Sequence, residues 1–457
     1  MITISSFFKK PDLRVFAKTV LPKSFFDRFA ASTVAKRLAR GSMWGLLGSA
    51  ASRILVLLAM IIVARILGKV SFGEFGVIQA TLGVAGLMAG IGLGNTGTRF
   101  VAQHASTNPE QAGRIIGLVR GVSWIAILLF AGIIVLTSSE IADSILGAPH
   151  LHTALSWGVW LMATNVLRGV QTGVISGFER FDLVAKLNIL EGIVSIVAMV
   201  IMARTYGVVG VLLGMALGGI TAWLAGHYCL RTELRKRNID VRYRGAFKDW
   251  RILSGYSLPS LMANLVATPV LWFCMTLVAR SPNGYAEMGI YNAAYQWHGP
   301  MIFIPMILMS TSIPLLVQEW ESGNIKRFRT VTLWLGALTL IIAVPPVLLI
   351  STLSPWVMSF YGQGFSDGWL ILVLLLAAAP FHALTNISTG ALLCMNQTWR
   401  VFGLNVVWGI TMLFMTFFLV PTLSIIGLAL AFLSAYAAQA ISAVSLVLLG
   451  SRIQTIE

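Results

Sequence analysis

"TGVISGFERFDLVAKLNILEG" fills residues 172–192, and "TGALLCMNQTWRVFGLNVVWG" fills residues 389–409. Laid side by side without a gap, they match at a constant offset of 217. Thr172-Gly173 falls on Thr389-Gly390, Val184 on Val401, Leu187-Asn188 on Leu404-Asn405, and Gly192 on Gly409. The same offset carries Gly210 onto Gly427. A second echo links "VARILGKVSFGEFGVIQA" (63–80) with "VARSPNGYAEMGIYNAA" (278–294). In both, an apolar run ends in Val-Ala-Arg, a short polar stretch follows, and another apolar run opens. The chain therefore reads as one unit written twice.

Composition names the solvent of that unit. Of 457 residues, 57% are hydrophobic and 11% charged, with a mean hydropathy of +0.83. A soluble domain carries roughly 25% charged residues, so the apolar excess belongs in lipid. Twelve runs are long enough to span it as helices: near 44–67, 74–95, 116–138, 154–176, 183–204, 207–230, 253–279, 288–317, 330–353, 369–394, 400–421 and 424–449. The echoes pair runs one and two with seven and eight, and four to six with ten to twelve. We expect an all-α integral membrane protein of about twelve transmembrane helices in two six-helix lobes. Six is even, so both lobes enter the membrane in one direction, as parallel repeats.

The segments follow: a basic cytoplasmic N-terminal stretch (1–42), a first lobe (43–230), a basic linker (231–252), a second lobe (253–450) and a tail (451–457). Net charge is +16. With the N-terminus in the cytoplasm, 26 Lys/Arg fall on the cytoplasmic side and four on the other, which sets both termini inside. The basic excess therefore reads as a topology signal, and nucleic-acid binding is not expected. No cleavable signal peptide is apparent. The N-terminal stretch mixes Phe with Lys/Arg; it reads either as an interfacial helix on anionic lipid or as a basic tail. Cys229, Cys274 and Cys394 have no metal-ligand spacing, so neither a metal site nor a disulfide framework is expected.

Charge inside the membrane is costly and marks function. Glu191 is the one carboxylate deep in a run, and Arg53 and Arg168 share its depth, about 14 Å from the cytoplasmic end. Arg120 and Lys186 are shallower. Arg53, Arg168 and Arg120 are candidate ligands for an anion in a central cavity, because a guanidinium fork suits phosphate. Glu191 and Lys186 are candidates for coupling or salt bridging; an Arg168–Glu191 bridge that only ties two helices is an equal reading. At the repeat positions Arg168 becomes Thr385 and Glu191 becomes Trp408. In the second lobe, His298 and His382 either carry a coupling proton or are hydrogen-bonded inside the bundle. The series Gly210, Gly214 and Gly218 reads as generic close packing.

The stretches "ARILGKVSFGEFGVIQA" (64–80), "GIGLGNTGTRFVA" (90–102), "LRGVQTGVISGFERFDLVAKLNILEG" (167–192) and "MGIYNAAYQ" (288–296) give a further handle. With them, the chain from about Gly41 to Gly450 resembles the polysaccharide transporter (PST, Wzx-type) family of the MOP exporter superfamily, whose fold is MATE-like. The resemblance implies a flippase, not an enzyme, that moves polyprenyl-pyrophosphate-linked oligosaccharide from the cytoplasmic to the outer leaflet of the cell inner membrane. It implies membrane lipids and polysaccharide-assembly proteins as partners, no cofactor, and H+ or Na+ as the coupling ion. Two departures stand out: the long basic N-terminal stretch and the few buried charges of the second lobe. A MATE-like cation-coupled drug exporter is the alternative, followed by a membrane polysaccharide polymerase or glycosyltransferase. The latter needs paired acids or a large external domain, and the chain shows neither.

Overall fold

A computed structural model describes residues 33–253, 257 and 265–453, with side chains described for 53–253, 257 and 265–449. Residues 1–32 of the basic N-terminal stretch, most of the opening of the second lobe, and 454–457 of the tail lie outside the described residues. Every regular element among the described residues is helical: α1 (Thr33–Gly90), α2 (Leu93–His104), α3 (Pro109–Glu140), α4 (His152–Gly177), α5 (Phe181–Lys236), α6 (Ala267–Ala279), α7 (Gly284–Tyr295), α8 (His298–Glu321), α9 (Ile325–Thr352), the short α10 (Ser354–Ser359), α11 (Trp369–Cys394) and α12 (Thr398–Ile453). Seven helical stretches among them are long and apolar enough to cross a membrane.

Twelve runs fit into these helices because three helices change direction at a single non-helical residue. These are Gly68 in α1, Gly207 in α5 and Ser424 in α12. The first and second runs share α1, and α2 completes the second. The fifth and sixth form α5, and the eleventh and twelfth form α12. The eighth is split between α7 and α8. α1 already begins at Thr33, eleven residues before the first run was expected to start.

The halves of α5 fold back on one another as a helical hairpin. Its seam is the glycine series: a Cβ on Gly210 would lie 1.9 Å from Met202 O, one on Gly214 2.6 Å from Met199 N, and one on Gly218 1.9 Å from Ser195 Oγ. With no side chain on one strand of the seam, the two backbones come into van der Waals contact without solvent or lipid between them. In α12, Gly427 stands against Leu419 O in the same way, 217 residues on from Gly210 and Met202.

The backbone repeats at the same offset. Gly207 (φ 56, ψ −131) matches Ser424 (φ 47, ψ −122). The turn in the middle of the repeated stretch also matches. Glu179 (φ 59) and Asn396 (φ 58) are both left-handed. Four backbone bonds recur around them: Phe178 N–H to Val174 O and Met395 N–H to Ala391 O; Glu179 N–H to Ser176 O and Asn396 N–H to Leu393 O; Arg180 N–H to Ile175 O and Gln397 N–H to Leu392 O; and Val184 N–H to Arg180 O and Val401 N–H to Gln397 O.

Gly207 and Ser424 differ in one respect. A Cβ on Gly207 would meet nothing within 4 Å, so the cost of a side chain there is purely conformational. Gly207→Ala is expected to lower stability by about 1–2 kcal/mol, read as a fall in the melting temperature of the purified protein; an unchanged melting temperature would count against a strained reversal at this residue.

Candidate functional site

The two halves meet most tightly at one end of the molecule. There α1, just past Gly68, crosses α7 backbone to backbone. A Cβ on Gly73 would fall 1.8 Å from Tyr285 O, and one on Gly289 would fall 1.9 Å from Lys69 O. Arg65 Nε donates to Phe360 O at 2.5 Å, and the Tyr285 hydroxyl donates to Leu146 O at 2.9 Å. Each of these contacts joins a residue of the first half to one of the second. This end is sealed.

Beyond the seal lies a cavity of about 640 Å³. Its walls are the later part of α1, the start of α2, one face of α4 and Thr268 of α6. The junction of α1 and α2 is part of the wall, and Ile91 (φ 40) and Gly92 (φ 64) break the helix there. Asn95, Thr98, Asn165, Thr172, Ser176 and Thr268 supply amides and hydroxyls. No charged side chain is among the described lining residues. A neutral wall of donors and acceptors broken by glycines suits a solute rich in hydroxyl groups more than a free ion.

The candidate charges are not gathered in this cavity. Arg168 lies on α4 about 100° round from the centre of the lining face. It is 6% exposed and turned onto α5. Its Nη2 donates to Glu191 Oε2 at 2.7 Å and to Asn188 Oδ1 at 2.9 Å, and Nε donates to Glu191 Oε2 at 3.2 Å. Glu191 keeps 31% of its side chain exposed. The geometry therefore favours the reading in which this pair ties α4 to α5.

Arg53 is elsewhere. It is exposed on α1, with its guanidinium carbon 4.9 Å from the centre of the Phe303 ring on α8. It has no acidic partner among the described residues. It marks the seam where α1 of the first half faces α8 of the second. Arg120 sits on α3 beside Tyr243 and Arg231, at the linker. Lys186 is exposed on α5 near Asp182. Neither reaches the cavity wall.

In the second half, His298 and His382 come together, with Nε2 of the first 3.0 Å from Nδ1 of the second. Aromatic rings of α7 and α12 surround them.

The sequence reading followed charge and so passed over the neutral lining. A signal for it existed: Asn165, Thr172 and Ser176 recur at helical spacing along the fourth run. It also passed over Tyr436, which packs on both histidines, and Trp408, which packs on Tyr436; both look like ordinary apolar filling in a membrane helix.

A family model described as polysaccharide biosynthesis protein matches residues 38–320. Among curated proteins, the chain is similar to the EPS I polysaccharide export inner membrane protein EpsE of Ralstonia solanacearum, 23% identical over 81% of this chain and 84% of that one. It is also similar to the lipid III flippase of Escherichia coli (strain K12), 25% identical over 64% of this chain and 70% of that one. Among solved structures, an inward-facing multidrug resistance MATE family transporter of the MOP superfamily matches with a TM-score of 0.73 at 17% identity, covering 89% and 96% of the two chains. A MOP superfamily transporter from Pyrococcus furiosus matches with a TM-score of 0.66 at 15% identity, covering 92% and 96%.

Two outcomes follow from the geometry. Gly289→Leu should hold the sealed end apart, so that spin labels at the exposed Lys69 and Asn283 report a longer distance than in the parent protein; an unchanged distance would contradict the backbone contact. Arg168→Gln alone leaves a carboxylate unpaired and should cost about 3 kcal/mol, seen as reduced folded yield. Adding Glu191→Gln should recover both yield and transport. A double variant that folds but does not transport would return Arg168 to the list of substrate ligands.

Proposed function

The chain belongs to the polysaccharide biosynthesis protein family, and from that premise we propose that it is a flippase for lipid-linked glycan. It moves a polyprenyl-pyrophosphate-linked oligosaccharide from the cytoplasmic to the outer leaflet of the inner membrane by alternating access. The observation that carries this reading is the pairing of one sealed end with a neutral, hydroxyl- and amide-lined cavity of about 640 Å³ behind it.

Orientation follows from charge. Lys and Arg are concentrated on the His104 side of the membrane, which assigns that side and both termini to the cytoplasm. The sealed Gly68 end is then external. In this conformer the cavity receives a solute from the compartment where nucleotide-activated sugars are joined to lipid.

Each part of such a substrate has a counterpart. The glycan exchanges water for the amides and hydroxyls of α2 and α4, at little net cost in hydrogen bonding. The pyrophosphate suits Arg53, whose guanidinium is exposed at the α1–α8 seam and offers paired donors. The Phe303 ring holds that guanidinium in place until a stronger anionic partner arrives. The polyprenyl tail remains in lipid and threads the same seam. The protein forms and breaks no bond in this process. Export of cationic drugs is disfavoured, because the described residues of the cavity wall offer no carboxylate.

The test is transport of a fluorescent polyprenyl-pyrophosphate glycan by the purified protein in liposomes. Arg53→Ala should lower the rate by about 10- to 100-fold, the worth of one or two charge-assisted hydrogen bonds. Arg53→Lys should restore only part of it, since an ammonium makes no paired contact. Full transport by Arg53→Ala would remove Arg53 from the site, and no transport by the parent protein would remove the substrate class.

A further inference from the structure

The second half holds an acid–base device that the substrate path does not use. His298 is 3% exposed at the start of α8, where the eighth run breaks between Tyr295 and His298. Its Nδ1 is 3.1 Å from Leu375 O on α11. A carbonyl only accepts, so this nitrogen carries a proton. In a neutral imidazole the other nitrogen is then a bare acceptor. Nε2 of His298 therefore accepts from Nδ1 of His382, 3.0 Å away. His382 in turn has its proton on Nδ1 and a free lone pair on Nε2. One carbonyl thus fixes both tautomers and leaves a single basic atom at the end of the chain.

The surroundings suit a proton and little else. The His382 ring stacks on Tyr436 at 4.2 Å, and His298 is flanked by Tyr295 at 6.1 Å and Phe432 at 5.2 Å. These rings come from α7 and α12, and Trp408 closes the far side of Tyr436 at 5.6 Å. The titratable groups facing the pair are the hydroxyls of Tyr295 and Tyr436 and the two imidazoles themselves. No carboxylate or cation perturbs either histidine among the described residues. A metal cation would therefore find no anionic oxygen here. A proton on Nε2 would find an electron-rich ring face, and a hydrogen-bonded neighbour that spreads its charge.

The repeat says which way this atom lies. Subtracting the offset of 217 from His382 gives Asn165, which lines the cavity. Asn386 in the same way maps onto Gly169, also a lining residue. His382 thus occupies, on the second half, the position that faces the cleft on the first. Nearby, the buried hydroxyl of Tyr291 has no partner among the described residues, and a hydroxyl both accepts and donates, so it can pass a proton on.

We propose that His298 and His382 form the carrier's proton site, loaded at Nε2 of His382. A proton from water on the external side forms an N–H bond with that lone pair and gives an imidazolium. The bond breaks again when the proton is released to the cytoplasmic side. One proton enters and one leaves, with no other change. In the externally sealed conformer His298 is buried among aromatic rings and the pair is neutral, so a charge on it favours the conformer in which the cleft lets water in from outside. That this movement drives glycan export rests on the function proposed above; the site itself does not.

The test needs no glycan. Solid-state NMR of the full-length protein in liposomes, labelled with nitrogen-15 at its six histidines, should show His298 and His382 as Nδ1–H tautomers at about pH 8, assigned by their loss in His298→Asn and His382→Gln. On acidification His382 should become an imidazolium, and the Lys69–Asn283 label distance should lengthen over the same pH range. His382→Gln should abolish that lengthening, and His298→Asn should shift it, giving a second variant should the first fold poorly. An Nε2–H tautomer at either residue would overturn the proposal. So would opening that persists in His382→Gln, or opening that follows sodium at fixed pH.

Discussion

Lipid forms no hydrogen bonds, and that single fact arranges most of this molecule. A polar atom inside the membrane must find its partner in the protein or face a protected cleft. Threonine and serine hydroxyls return to carbonyls one turn back, as in Thr81, Thr164, Thr332 and Thr385. Arg168 is buried with Nε and Nη2 taken up by Glu191 and Asn188, while its Nη1 has no partner among the described residues. The helix breaks at Ile91–Gly92 and at Gln296–Trp297 would be untenable against lipid; both lie inside the bundle, one on the cavity wall and the other beside the histidine pair.

The same constraint shows how a duplicated fold divides labour. The two halves share turns and reversals to within a few degrees of φ at equivalent residues. They share almost none of their buried chemistry. Where the first half has Arg168 and Glu191, the second has Thr385 and Trp408; where the first has Asn165, the second has His382. One wall of the cleft is neutral and presents amides and hydroxyls. The other carries an acid–base pair within an aromatic cage. If the histidine pair takes a proton as proposed, solute and proton would act on separate walls and bias one rigid-body rocking without competing for a site.

The architecture was legible because repeat and hydropathy are properties of the whole chain. Gly210–Gly427 and the Asn-bearing stretches announced the duplication. The paired use of Arg168 and Glu191 was legible too, since their depths agree. What stayed hidden was azimuth. Depth along a helix can be counted in residues, but the face of α4 that meets the cavity depends on how α4 packs against α2, and no single-sequence count supplies that. Arg168 consequently looked like a cavity residue, and Asn165, three residues earlier, did not. The partnership of His298 with His382 was hidden for a related reason: 84 residues separate them, and only the packing of α8 on α11 brings them together.

The reversal at Ser424 has a mechanical meaning. Its hydroxyl donates to Glu287 on α7, two residues before the glycine that touches the other half at the seal. Its counterpart Gly207 has no side chain with which to hold anything. The hairpin of the second half is thus bonded at its reversal to the element that closes the seal, whereas the matching hairpin of the first half makes no side-chain bond at its reversal and is held to α4 instead through Glu191 and Asn188. α7 is thus bonded to α12, which also carries Tyr436, stacked on His382. On the proposed reading, the contact at the seal and the histidine pair are then coupled through one continuous helix of the second half, so that opening the one would be felt at the other.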